Sequence, residues 1–251
     1  MQFEGLRNAI YRYITSEVAR GVDISVTPSG FLNFRLEFHL PVLPVRTKDS
    51  WKSEATEEYP RRSIDLSFLT HGDQTNLTLF RAQISFLLLG YADANWIVYA
   101  FLDPRLDEEL DHESEFCIEL DGGSQFHPDP IAGWKFDADS PDWNPRQYFL
   151  RILSLRIAQI QLEWASVERE LERRHDHPLS LSTHPASTMV KQYYDWAFFV
   201  ATLLDELLTV PAKTNKSWEE FQSREEEHTY FSGMRYGTSL ESFQSIKKCF
   251  R

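Results

Sequence analysis

Cysteine is scarce: Cys117 and Cys249 are the only two in 251 residues, and they lie far apart. They read as reduced thiols, not as the disulfide framework of a small secreted domain. Long apolar runs are missing too. The longest, 84–89 (interrupted by Ser85) and 97–102, fall far short of the ~18–20 residues that cross a bilayer. Met1-Gln2-Phe3-Glu4 lacks the basic-then-apolar plan of a secretory leader. The sequons at Asn76 and Asn215 therefore read as chance matches. No glycine-rich phosphate loop, nucleophile elbow or Cys–His zinc spacing occurs, and the chain reads as non-enzymatic. His175, His177 and His184 have no cysteine or carboxylate cluster at ligand spacing and are expected to face solvent. Basic charge is also short, at 26 Lys and Arg against 38 Asp and Glu. That balance disfavours nucleic acid and anionic lipid as partners.

What is present divides the chain into three. Composition is that of one globular domain over residues 1–251, 42% hydrophobic and 14% aromatic. A sheet-rich part, 1–103, opens with an amphipathic helix over 3–19 carrying Leu6, Ile10, Ile14 and Val18. Strict alternation of Leu32, Phe34, Leu36, Phe38 and Leu40 predicts a strand with one buried face, ended by Pro41 and Pro44. The polar stretch 49–62 reads as a loop. Ile64, Leu66 and Phe68 predict a second strand; 77–89 and 96–102 predict two more, joined through 90–95 in a hairpin. An acidic connector, 104–143, follows. From Asp103 to Asp142 there are thirteen acidic and two basic side chains, which accounts for nearly all of the chain's net −12. It lacks periodicity and is expected to be a long loop.

The helical part, 144–251, begins at Asn144-Pro145, a cap followed by proline in the first turn. Phe149, Leu153, Ile157, Ile160, Trp164, Val167 and Leu171 then recur in steps of four and three, a seam for helix packing. A second helix is expected over 187–208, carrying Val190, Tyr194, Ala197, Val200, Ala201, Leu204 and Leu208, and a third, short and polar, over 217–227. Thr238-Ser239-Leu240-Glu241 is a capping box opening a last helix that runs into Arg251 without a stop signal, as in a segment of something longer. The expected class is α+β or α/β, a small mixed β-sheet flanked by helices and followed by the helical part.

Asp137, Asp139 and Asp142 lie close enough in sequence to hold a hard cation weakly, magnesium or calcium, through oxygen. An EF-hand loop is excluded, because Asp142 and Tyr148 stand where it needs Gly and Glu.

One stretch is more specific. Asp129-Pro130-Ile131-Ala132-Gly133, then Trp143-Asn144-Pro145-Arg146-Gln147-Tyr148-Phe149-Leu150-Arg151, leads to Leu162-Glu163-Trp164. This resembles the junction of fungal CorA-like proteins, a divergent branch allied to the CorA magnesium transporters; the likeness spans about 77–172. The resemblance implies a cytoplasmic domain ahead of a stalk helix and membrane helices, in a family whose domain senses magnesium between subunits of a pentamer. The chain departs from the family in lacking the Gly-Met-Asn pore motif and any membrane helix, so it does not itself conduct ions. No sensor carboxylate carries over residue by residue. Two functions are expected: a soluble regulatory domain of a CorA-like divalent-cation transporter, or an interaction module that binds a protein partner or a second copy through the helical seam.

Overall fold

The computed structural model describes residues 2–15, 25–29, 33–47, 63–66, 77–91, 94–103, 106, 127, 129–133, 135–139, 143–175, 187–223 and 231. Cys117, Cys249, the stretch 49–62, Phe68 and the segment from Thr238 onward lie outside them.

The mixed α and β expectation holds in its α+β form. Helix α1 (Gln2–Thr15) precedes strands β1 (Ser25–Ser29), β2 (Asn33–Val42), β3 (Val45–Thr47), β4 (Ser63–Asp65), β5 (Leu77–Phe80), β6 (Ala82–Tyr91) and β7 (Asn95–Leu102). A 3-10 turn (Pro130–Ala132), helix α2 (Pro145–His175) and helix α3 (Ser187–Ser223) follow. The strands form two sheets, ordered β1-β2-β6-β7 and β3-β5-β4, and every described pairing is antiparallel.

The expected strand over 77–89 is two strands that part company at Arg81, one in each sheet. Opposite that break β2 gives way to β3 at Leu43-Pro44, and the Phe80 amide donates to the Pro44 carbonyl at 2.9 Å. Thus two long antiparallel stretches, 33–47 and 77–91, bend at the same level and feed both sheets. Pro41 does not end β2. It pairs with Gln83 within the β2–β6 ladder.

Phe34, Leu36, Phe38 and Leu40 line one face of β2 as their alternation requires, and all enter the main core. Phe38 stacks on its cross-strand partner Phe86 at 5.0 Å between centroids, and Phe149 of α2 lies over both, at 5.7 and 5.9 Å. Such aromatic pairs add roughly 0.5–1.5 kcal/mol each beyond area burial. Phe34 also crosses Gly90: a Cβ there would sit 2.0 Å from the Phe34 ring, so the hairpin demands glycine. The opposite face of the sheet is covered by α1 through Leu6 and Ala9 against Leu87, Leu89, Tyr99 and Phe101. Small side chains, Gly5 and Ala9, make that contact. Ile14, expected inward, is 70% exposed, because the buried stripe of α1 runs through these small residues.

Helix α2 starts as its sequence dictates. Asn144 Oδ1 accepts from the Arg146 amide at 2.9 Å and the Gln147 amide at 3.3 Å. Its apolar seam spans two cores: Phe149, Leu153 and Ile157 in the main one, Trp164, Val167 and Leu171 in a smaller one. Helix α3 runs back along it, placing Leu203, Leu207 and Val210 in the smaller core and Trp218 in the main one. The two expected helices over 187–208 and 217–227 are therefore one, 37 residues long, with Pro211 inside. Proline in a helix interior costs about 3 kcal/mol. Leu207 and Val210 before it and Trp218 after it are anchored in cores, so helix on both sides is held in place regardless.

Candidate functional site

Three arrangements of side chains stand out, beginning with the joint between the connector and α2. Asp129 caps the 3-10 turn, its Oδ1 accepting from the Ile131 amide at 2.9 Å and its Oδ2 from the Tyr148 hydroxyl at 2.8 Å. Gly133 closes the turn at φ +60°, the left-handed region that favours glycine. Arg156, 2% exposed, reaches from α2 into this turn: its Nε donates to the Ile131 carbonyl at 3.0 Å and its Nη2 to the Pro130 carbonyl at 2.9 Å. Its Nη1 donates to Gln159 Oε1 at 2.7 Å, and Gln159 Nε2 donates to the Leu106 carbonyl at 3.3 Å. Arg151 lies over the Phe136 ring, 3.3 Å from its centroid. The Asp-Pro-Ile-Ala-Gly stretch and the helix after Trp143 thus fold into a single clasp. A guanidinium whose donors meet carbonyls is how a buried Arg avoids its desolvation penalty.

The cation candidates lie beside that clasp. Asp137 Oδ1 accepts from the Asp139 amide at 3.0 Å and the His127 amide at 3.3 Å. Asp139 Oδ2 meets His127 Nδ1 at 2.5 Å, on the surface. His127 thus touches both residues, its amide on Asp137 and its ring on Asp139, while Asp142 lies outside the described residues. Asp137 Oδ2 and Asp139 Oδ1 stand outside these bonds and could offer two oxygens to a magnesium or calcium ion that takes six or more. Among the described residues, no three of His, Cys, Asp or Glu converge to hold a metal. Of the three expected solvent-facing histidines, His175 is the last residue of α2, and His177 and His184 lie outside the described residues.

A third group is buried beneath α1, on the polar face of β2. His39 Nδ1 lies 3.0 Å from Ser85 Oγ, its cross-strand partner, and His39 Nε2 lies 3.9 Å from Glu37 Oε2. Arg35 and Arg12 approach Glu37 Oε1 at 3.3 and 3.6 Å. Burial would push the Glu37 carboxyl up, but His39, Arg35 and Arg12 outweigh it and hold it below its ordinary 4.5. Serine, histidine and glutamate in this order resemble a hydrolytic triad, yet Ser85 is 0% exposed and no substrate can reach its hydroxyl. Next to it Asp103 Oδ2 accepts from the Gln83 amide at 2.8 Å and ties the end of β7 to β6. Alternation foretold the apolar face of β2, but not that α1 would cover the polar one.

Two ion pairs fasten the smaller sheet to the helices. Arg46 of β3 meets Glu163 of α2 with both terminal nitrogens, at 2.9 and 2.6 Å, and Arg81 pairs with Glu206 of α3. The bidentate geometry suits a buried guanidinium–carboxylate pair.

The remaining feature is on α3. Several of the apolar residues that mark it in the sequence lie on the outside: Tyr194 is 77% exposed, Leu204 46% and Leu208 71%. Burial instead follows Leu203, Leu207 and Val210, because α3 is apolar on two sides and spacing alone does not say which meets the protein. Phe198, 65% exposed, joins Tyr194 and Leu208 on the outer face. The α2 seam, expected to be available to partners, is instead consumed by the two cores.

The described residues define an α+β protein of two antiparallel sheets and three helices, none of them long and apolar enough to cross a membrane. Comparison with family models, curated proteins and solved structures finds no match.

Proposed function

We infer that this chain is a non-catalytic interaction module, in which the antiparallel sheets and α2 hold α3 as a rigid arm whose outer apolar face engages a protein partner. The observation that carries this reading is the exposure of Tyr194, Phe198 and Leu208 on one face of a helix whose other face is anchored by Leu203, Leu207 and Val210. Exposed apolar clusters of this kind mark interaction surfaces. The clasp at Arg156 and the Arg46–Glu163 and Arg81–Glu206 pairs support it by fixing both helices to the sheets. The test is fluorescence of an apolar dye, anilinonaphthalene sulfonate, with dilute protein. Phe198→Asp is expected to remove most of the enhancement; an unchanged signal would contradict the reading.

A second reading, a cytoplasmic regulatory domain of a CorA-like divalent-cation transporter, draws on the turn beside the clasp in which Asp137 accepts the Asp139 amide and Asp139 meets His127. On it, magnesium held weakly by these carboxylates would steady the connector against α2. Millimolar magnesium is then expected to raise the melting temperature by linkage, and Asp139→Asn to abolish the rise. A melting curve indifferent to magnesium and calcium would sink it.

A further inference from the structure

We propose that the partner of the α3 outer face is a second copy of this chain, the two α3 helices crossing antiparallel about a two-fold axis between residues 199 and 200. This rests on the interaction-module reading and adds the occupant. Tyr194, Phe198, Ala201, Asp205 and Leu208 follow one another in steps of four, three, four and three, the spacing of a helix–helix seam, and all five are exposed. An antiparallel two-fold places Phe198 against Ala201 of the other copy and Tyr194 against Asp205 of the other copy, each pair occurring twice. The large ring thereby meets the small methyl, and a phenol hydroxyl meets a carboxylate that can accept its hydrogen bond. A parallel two-fold would instead oppose Asp205 to its own copy, two like charges in a closing interface.

The exposed fractions of Tyr194, Phe198, Leu204 and Leu208 amount to apolar surface on the order of 500 Å². That is somewhat less than the roughly 800 Å² that each partner gives to a standard interface, and it suits a reversible dimer of micromolar affinity. Leu203, Leu207 and Val210 anchor the helix from 203 onward, while residues 194–199 are exposed all round, Trp196 and Phe199 included, and leave the seam open.

Sedimentation of the full chain over a concentration series tests the proposal. The wild type is expected to pass from monomer to dimer in the micromolar range, and Phe198→Asp to weaken dimerisation at least tenfold without unfolding the chain, as circular dichroism would verify. Orientation is read by oxidative cross-linking in a background with Cys117 and Cys249 changed to serine. Tyr194→Cys mixed with Asp205→Cys is expected to give a cross-linked dimer and neither variant alone, because each like pair is about 16 Å apart along the helix, beyond disulfide reach. Cross-linking of either variant with itself would overturn the antiparallel arrangement. A wild type that stays monomeric, yet loses its dye binding in Phe198→Asp, would overturn self-pairing and leave the interaction surface standing. A monomer without that dye signal would overturn both.

Discussion

Along α2 the apolar steps of four and three run through Phe149, Leu153 and Ile157 into a core that covers them, whereas along α3 equal steps through Tyr194, Phe198, Ala201 and Leu208 lie in the open. Both stretches have the spacing of a packing seam. The difference lies in the opposite side of each helix. α2 offers Arg156, Glu163 and Arg169 away from its apolar stripe or at its border, which fixes its phase. α3 has Leu203, Leu207 and Val210 behind its outer stripe and so satisfies the cores while leaving apolar side chains to spare. Equal patterns therefore make different contributions: one builds the fold, the other is surplus to it.

The contrast can be broken most strongly from the α2 side. Phe149→Ala empties the centre of an aromatic cluster with Phe38, Phe86 and Phe231 and is expected to cost about 3–5 kcal/mol, read by denaturant unfolding. Glu163→Ala removes the carboxylate that meets both terminal nitrogens of the buried Arg46 guanidinium and is expected to cost about 3 kcal/mol or more; replacing both partners by Met and Leu should recover much of it. Gly90→Ala drives a methyl into the Phe34 ring and is expected to cost about 1–3 kcal/mol. Leu208→Glu, by contrast, should change the stability of the protomer by no more than about 0.5 kcal/mol, since the side chain is 71% exposed. A large loss there would mean that the outer face of α3 is part of the fold.

Acid gives a further, smaller handle. The Glu37 carboxyl is held below its ordinary value of 4.5, so its contribution is fully present above that value and is lost as pH falls through the folded one. Stability should therefore decline on acidification below about pH 4.5, and Glu37→Gln should flatten that part of the decline in a pH series of melting curves.

Much of this architecture is legible in the residues. Alternation marks the core face of β2, Asn144-Pro145 marks the start of α2, and Gly90 to Asn95 marks the hairpin. Elsewhere local signals were overruled by tertiary structure. Pro41 and Pro211 are local breakers, but β2 carries the first within its ladder to β6, and α3 passes the second because cores hold it on both sides. The phase of α3 was unreadable because two of its faces are apolar. The clasp was visible only as a string of residues; that Arg156 would reach the carbonyls of Pro130 and Ile131 required α2 to be laid against the turn. The buried face of β2 looked like a solvent face, since Glu37 and His39 are polar and only the docking of α1 encloses them.

Hydroxyl-radical footprinting of the full chain at two protein concentrations tests the surplus seam most directly. In dilute solution Tyr194, Phe198 and Leu208 should be heavily modified while Phe149 and Leu153 remain protected; at high concentration the first three should become protected as well. Modification of those three that is already absent in dilute solution would contradict the account; modification that does not change with concentration would overturn self-pairing.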